Sequence, residues 1–242
     1  MSEQVRINRN IVFAGVANNT PNIEGNLNPD RKSVFYDYTE LALDNTNKYT
    51  PFLDTTSAIA LASGGITLTT AATDNKVCSQ SQGGIWWYPA KNPVVEMRFQ
   101  VDVVTTLAVF CGFSDAVSEA AATMPFALAT ATLTDTCTNG VGWLFDIDQT
   151  LDYWNAVNTN GGTQAFTQMG STYIPVAATD VTLRTELDSS GNARFYYNGV
   201  EKHYKASAVS STTPLVPYFG IKNMAAAAHV ATLKYVHAWQ DV

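Results

Sequence analysis

The sequence predicts an all-β protein built as an antiparallel sandwich. The strongest signal is VTLRTELDSSGNARFYYNGV, Val181 to Val200. There Val181, Leu183, Thr185 and Leu187 alternate with Thr182, Arg184, Glu186 and Asp188, the period of two that sends successive side chains to opposite faces of a strand. Ser189 to Asn192 supply turn chemistry and Ala193 to Tyr197 resume extended composition. Asn198-Gly199 then suits both central positions of a type I′ turn, so the chain folds back through Val200 to Tyr204. The second signal is composition: only 14 % of residues are charged while hydroxyl and amide residues abound, which suits sheet faces better than long amphipathic helices. The third is spacing, about a dozen extended segments at intervals of roughly 8–12 residues without a βαβ unit.

Taken in order, Met1 to Arg31 is polar and rich in Asn, broken by Pro21, Gly25 and Pro29 around one short apolar run, Ile11 to Val16. This is an extended N-terminal arm (1–31), either ordered by lying on a neighbouring subunit or left as a loosely packed terminal segment. The sandwich domain takes 32–242. Ser33 to Glu40 is its first strand, Leu41 to Pro51 is turn-rich, Ile59 to Leu61 is a short strand, and Ile66 to Thr69 alternates as another. In Gly83-Gly84-Ile85-Trp86-Trp87-Tyr88-Pro89 three aromatics follow one another in a strand, so if Trp86 faces the core, Trp87 faces solvent or a partner. Val94 to Val104 alternates cleanly, with Val95, Met97, Phe99, Val101 and Val103 against Glu96, Arg98, Gln100 and Asp102. Leu107 to Phe113 is apolar on both faces, the mark of a central strand covered on each side or of one lining a concave surface. Ser114 to Asn139 reads as a long loop crossing the rim, its SEAAAT stretch lacking an amphipathic face. Val141 to Gln149, Leu151 to Val157 and Ala165 to Gln168 are strands, with a turn at Asn158 to Gly162. Pro214 to Ile221 and Ala231 to Trp239 end the series, joined by a tight connection through Lys222 to Ala228.

Fourteen Lys and Arg against 21 Asp and Glu leave a net charge of −7. That field repels a polyanion and sets nucleic acid aside as a partner. Cys78, Cys111 and Cys137 lie far apart with no Cys-x-x-Cys spacing, so they read as buried thiols, not as a metal or redox site. No apolar run is long enough to span a bilayer, and MSEQVRINRN lacks the apolar core of a secretion signal. Synthesis in a reducing cytosol, without membrane insertion, is the expectation.

The order and pattern of TLRTELDSSGNARFYYNGV, TTPLVPYFGIKN and ATLKYVHAWQ resemble the C-terminal half of the concanavalin A-like lectin and glucanase superfamily. With FYDYTELALDNTNKYT, VEMRFQVDVVTTLAVFCGFSDA, TMPFALAT and GWLFDID, the chain is similar more narrowly to the version of that fold found in structural proteins of tailed bacteriophages. The likeness runs from Ser33 to Val242. It implies a jelly-roll β-sandwich of one convex and one concave antiparallel sheet with Greek-key connections. It also implies a non-enzymatic virion component, with capsid decoration as the leading role, assembled in the host bacterial cytoplasm. Such a protein is expected to be a homo-oligomer such as a trimer, its arm tied to the major capsid protein or to neighbouring copies. The likeness does not distinguish head, neck and tail. The alternative is a carbohydrate-binding, receptor-recognition module of a tail or head fibre.

Glycoside hydrolysis takes two carboxyl groups across the scissile bond, roughly 5–10 Å apart, and the glucanases of this superfamily place theirs on one strand as Glu-x-Asp-x-x-Glu. Glu186-Leu187-Asp188 has Gly191 where the third acid belongs; Asp146-Ile147-Asp148 begins with the wrong acid and has Leu151 at the third position. No catalytic residue is therefore assigned, and no enzyme activity is expected. His203, His229 and His237 stand in or beside strands, with no Gly-x-Ser-x-Gly elbow for them to serve. No cofactor is expected, and Lys234 stands where the family pattern commonly has an acidic residue before the tyrosine of the last strand, which runs against a structural calcium. The candidate glycan-binding residues are Trp87, Tyr88, Tyr153, Trp154 and Asn155, because sugars are held by an aromatic face together with planar amides. The same aromatics also suit the space between two sheets.

Overall fold

The structure, a computed structural model, describes residues 31–36, 48–62, 64–117, 119 and 123–241. The arm up to residue 30, the second half of the first expected strand and most of the SEAAAT stretch lie outside the described residues. In chain order the strands are β1 (Arg31–Tyr36), β2 (Tyr49–Leu53), β3 (Ala58–Ala62), β4 (Gly65–Thr69), β5 (Val77–Gln82), β6 (Val94–Val101), β7 (Leu107–Ser114), β8 (Phe126–Ala129), β9 (Thr132–Asp135), β10 (Asn139–Asp146), β11 (Asn155–Asn160), β12 (Thr163–Gln168), β13 (Val181–Leu187), β14 (Ala193–Tyr197), β15 (Val200–Lys205), β16 (Val216–Asn223) and β17 (Val230–Asp241). They form an eight-stranded sheet in the order β15-β14-β13-β6-β17-β4-β3, with β1 also on β17, and a seven-stranded sheet in the order β12-β11-β10-β7-β16-β5-β2. The pair β8-β9 stands apart. Every pairing within these sheets is antiparallel, and neighbours distant in sequence, such as β6 beside β17 and β7 beside β16, make the jelly-roll crossings between them.

The main core lies between the two sheets. Val95, Met97, Phe99 and Val101 of β6 and Leu183, Thr185 and Leu187 of β13 turn inward, while Glu96, Arg98, Arg184 and Glu186 face out, as their alternation requires. Phe99 meets Phe219 at 4.9 Å between ring centroids and stands edge-on to Trp154 at 6.0 Å. The Trp143 indole crosses the core to donate its Nε1–H to the Arg184 carbonyl at 3.2 Å. In the β13-β14 turn the Asp188 carboxylate accepts the backbone N–H of Ser190 and Asn192 at 2.9 and 3.0 Å. Asn198 and Gly199 both have positive φ, 48° and 80°, as a type I′ turn demands. In β17 the register against β6 shifts between Leu233 and Tyr235, which makes Lys234 a bulge residue. In a regular strand Leu233 and Val236, three positions apart and both buried, would face opposite sides of the sheet; the bulge brings them to the same side.

The structure departs from the sequence expectations at several points. Seventeen strands are present among the described residues, against about a dozen expected from spacing. β2 begins inside the segment read as turn-rich, and β5, VCSQSQ, gave no pattern because it is polar yet buried at all six positions. β11 starts at Asn155 instead of Leu151 and runs to Asn160, so the turn narrows to Gly161-Gly162. The aromatic segment 85–88 is no strand: Trp87 makes an isolated bridge to Leu215, and a 3₁₀ turn follows at Pro89–Lys91. The three cysteines are free and buried, and burial pushes the Cys78 thiol up to about 12.

Gly112 of β7 and Gly142 of β10 are direct register partners. A Cβ on Gly142 would collide with the Cys111 carbonyl oxygen and stand 2.9 Å from the Phe110 ring. Gly142→Ala is therefore expected to lower unfolding stability by about 1–3 kcal/mol, the range for forcing extra volume into a packed layer. Urea unfolding with a lowered midpoint and an unchanged slope is the expected result; a wild-type midpoint would contradict this close approach.

Candidate functional site

The carboxylate-bearing segment GWLFDID forms most of β10, beside the central strand β7 of the seven-stranded sheet, and the start of the turn after it. The outer face of that sheet is apolar, since Phe110, Leu144, Val157, Tyr218 and Val77 point away from the main core and form a second one. The β8-β9 hairpin covers it with Phe126, Leu128 and Leu133, assisted by Met124 and Cys137. Phe126 meets Phe110 at 5.3 Å, and the hairpin approaches so closely that a Cβ on Gly140 would lie 2.6 Å from Cys137 Sγ and 3.1 Å from the Phe126 ring. The segment expected to be a rim loop is thus a lid of two short strands. FALA and TLTD each alternate for only four residues among Thr and Ala, too short a run for the pattern to show.

Asp146 ends β10 and fastens this hairpin. Its Oδ2 accepts the Leu128 N–H at 2.9 Å and its Oδ1 the Asp148 N–H at 3.1 Å. The Asp148 carbonyl accepts the Thr130 N–H at 2.7 Å and the Thr130 carbonyl the Thr150 N–H at 2.9 Å, so the hairpin tip is stitched to the turn after β10. Asp148 lies in that turn, exposed, and does not share a strand face with Asp146. Burial pushes the Asp146 carboxyl above its ordinary 3.8, against the pull of its two backbone donors. The other carboxylate pair belongs to the opposite sheet. Glu186 lies 3.1 Å from the Arg184 guanidinium and accepts the Tyr196 hydroxyl at 3.0 Å. Partial burial raises the Asp188 carboxyl, but hydrogen bonds from Asn192 and Ser190 outweigh it and hold the group below its ordinary range.

The five residues expected to bind glycan do not gather. Trp87, Trp154 and Asn155 are at most 1 % exposed, Tyr153 is half-buried and Tyr88 is exposed. Trp87 exchanges backbone hydrogen bonds with Leu215, just ahead of β16. Asn155 pairs with Leu144 in a row that reaches β16 at Gly220. Five residues of strand separate the two places, about 16 Å. Asn155 spends its amide internally, donating to Gln149 Oε1 at 2.6 Å and to the Tyr153 carbonyl at 2.9 Å. The expected phase of the aromatic segment is also reversed: Trp87 is inside, and Trp86, 42 % exposed like Tyr88, is outside. With aromatics on both sides and no flanking strand, nothing in the sequence set that phase. The Trp86 ring packs against Gly83 and Gly84, where added Cβ atoms would lie 3.2 and 3.4 Å away. Gln240 joins the two exposed aromatics, donating to the Trp86 carbonyl at 3.3 Å and accepting the Tyr88 N–H at 3.2 Å. Beside them Asn92 Nδ2 donates to Asp241 at 2.7 Å. Among the described residues no three His, Cys, Asp or Glu side chains come together, and Lys234 is the bulge residue.

No family model matches the sequence, and no curated protein matches it. Solved structures do. The chain is similar to Bacillus licheniformis β-glucanase, with 13 % identity and a TM-score of 0.58 over 85 % of this chain and 97 % of that one. It is similar to the catalytic domain of an endo-1,3-β-glucanase (laminarinase) from Thermotoga petrophila, with 9 % identity and a TM-score of 0.59 over 88 % and 98 %. It is also similar to the carbohydrate recognition domain of Emp46p in its potassium-bound form, with 11 % identity and a TM-score of 0.57 over 84 % and 94 %. The fold is a concanavalin A-like jelly roll. At such identities the likeness concerns the concanavalin A-like architecture alone, on which binding and catalysis are grafted separately.

Asp146→Ala, which leaves the Leu128 amide without an acceptor, is expected to cost about 1–3 kcal/mol and to speed hydrogen exchange at that amide; undiminished protection would place the anchor elsewhere. Because burial raises the folded-state pKa, the contribution of Asp146 to stability is full below 3.8 and is lost as pH rises through the raised value. Wild type should therefore gain stability relative to Asp146→Asn as pH falls toward 3.8 in a denaturant series; parallel pH profiles would contradict the raised value.

Proposed function

We propose that this chain is a non-enzymatic structural module of a tailed-bacteriophage particle, most simply a capsid decoration protein. Its concanavalin A-like sandwich stands outward, and residues 1–31 tie it to the major capsid protein or to a neighbouring copy in a homo-oligomer such as a trimer. The observation that carries the non-enzymatic part is the closure of the outer face of the seven-stranded sheet, where Asp146 holds the hairpin and both its oxygens are occupied. The virion part is supported by the pattern shared with phage structural proteins. The tethering role is supported by the place of Arg31, opposite Asp241 at the end of β17, where the neighbouring Gln240 bonds the backbone of the exposed Trp86 and Tyr88. A chain lacking Met1 to Asp30 is expected to fold but to be missing from particles viewed by electron microscopy; normal occupancy would sink the tethering role.

A second reading, glycan recognition on a tail or head fibre, is favoured by the two exposed aromatics flanked by Gln240, Asn92 and Asp241. It draws support from similarity to a domain described as carbohydrate-recognising and to glucanases. Trp86→Ala is expected to abolish saturable binding on a glycan array without altering thermal stability, and a wild-type chain that binds nothing on a broad array counts against this reading.

A further inference from the structure

An edge strand leaves every second residue's N–H and C=O without a ladder partner, and a chain that stays single has to guard them. The edges here differ in their guards. β15 carries Glu201, Lys202 and Lys205, and its register against β14 shifts between Phe195 and Tyr196. β2 contains Pro51 and β1 opens on Arg31 and Lys32. β12 carries Gln164 and Gln168, whose amides donate to the Leu133 and Leu151 carbonyls at 2.9 and 3.1 Å. β3, the last strand of the eight-stranded sheet, reads AIALA. It has no charge, proline or bulge, and all five residues stand in unbroken register with β4, its one ladder partner among the described residues. Ala58 and Ala60 are exposed on its outer face, while Ile59 and Leu61 pack against the main core and remain half-buried.

Hydrogen bonds at the end of β4 show which backbone groups of β3 are free. The Thr70 N–H donates to the His229 carbonyl at 3.0 Å, on the side of β17, and the Ala71 N–H to Ser57 Oγ at 3.0 Å, on the side of β3. Carried back along β4, this alternation turns Ile66 and Leu68 to β17 and Gly65, Thr67 and Thr69 to β3. The Thr67 hydroxyl, which donates to the Ala60 carbonyl at 3.3 Å, agrees with that phase. Ala58, Ala60 and Ala62 therefore spend their backbone groups on β4, and Ile59 and Leu61 turn theirs to the open edge.

We infer that β3 is a docking edge for a second copy of this chain, joined β3 to β3 across a twofold axis at Ala60. In that register Ile59 of each copy faces Leu61 of the other, and both present the donors and acceptors of a hydrogen-bonded pair. Ala60 faces Ala60 as the non-hydrogen-bonded pair, whose Cα atoms lie about 4.5 Å apart and which small side chains suit. The outer row sets alanine against alanine, so no like charges meet, and on the inner face Ile59 and Leu61 cover each other's half-exposed surface. Five residues a side fall short of the about 20–30 of a stable interface, so the contact fills where copies are concentrated. It uses no part of the arm and goes beyond both the particle and the glycan readings.

Cysteine cross-linking of the full chain tests this register, since the three native thiols are buried. Ala60→Cys puts a thiol on the axis, at a Cα separation within the about 4.4–6.8 Å that a disulfide spans. Ala58→Cys, also exposed, puts it opposite Ala62, with four residues of strand, about 13 Å, between the two thiols. Copper phenanthroline is expected to link Ala60→Cys into a disulfide dimer, faster at higher protein concentration, and to leave Ala58→Cys single on a denaturing gel. Adding Ile59→Pro removes an N–H that β4 does not use, which an edge strand tolerates, and should slow the linking of Ala60→Cys by at least about tenfold. Equal linking of Ala58→Cys and Ala60→Cys overturns the inference, as does a rate indifferent to the proline in a double variant that melts like the single one. An oligomer that forms through the arm while neither cysteine links keeps the tethering role and overturns this edge.

Discussion

A sheet that is apolar on both faces has to be covered on both, and that requirement governs this molecule. β7 and β10 are buried along their whole length, and β16 along nearly all of it. The eight-stranded sheet covers one side. Nothing in a two-layer sandwich covers the other, so the chain between β7 and β10 has to return across it, and the β8-β9 hairpin is that return. Burial of Phe126, Leu128 and Leu133 contributes on the order of 1.5–3 kcal/mol each. The same layer closes that outer face of the seven-stranded sheet.

The second constraint is the scarcity of charge. With 14 % charged residues, the crossings between sheets are fastened by amides. Asn158 and Asn160 donate to the carbonyls of Ala208 and Ser207, while Asn139 accepts the Ser210 N–H, so three residues of the seven-stranded sheet and its edge hold the 206–210 segment. Asn223 does the same at the other end, donating to the carbonyls of Ala71 and Thr73. The charges that do exist gather on the outer face of the eight-stranded sheet, where Arg184 lies over the Tyr196 ring at 4.0 Å and Arg194 pairs with Glu201 at 3.1 Å. Such exposed pairs contribute little to stability, typically about 0–1 kcal/mol, and keep that face wetted.

Those two constraints explain what was legible. β6, β13 and β14 lie in the eight-stranded sheet with one face to water, and there the alternation of Val95, Met97 and Phe99 with Glu96 and Arg98 announces strand and phase together. β7 announced its central place by being apolar throughout. β5 was silent because its serines and glutamines are polar yet buried, Ser79 accepting the Tyr218 hydroxyl at 2.7 Å, and polarity there does not mean exposure. The hairpin lid was silent because four-residue strands carry one alternation each. The candidate site suffered from the same cause: Trp86 and Trp87 are chemically alike, and only the bridge from Trp87 to Leu215, a contact across more than a hundred residues, decides which one enters the core. Trp154 was picked out for its ring face, whereas that ring is buried against Phe99 and Phe145.

β1 and β17 form an antiparallel ladder that begins with Arg31 opposite Asp241 and ends with Tyr36 opposite Val236. Force drawn through residue 31 against the end of β17 loads these rungs one after another from the outer pair inward, as a zip opens, instead of all at once as in shear. Separating β1 by such a pull leaves β17 still bonded to β6 on its far edge. A pull of that kind would therefore peel away six residues, rung by rung, before the rest of the eight-stranded sheet bore the load.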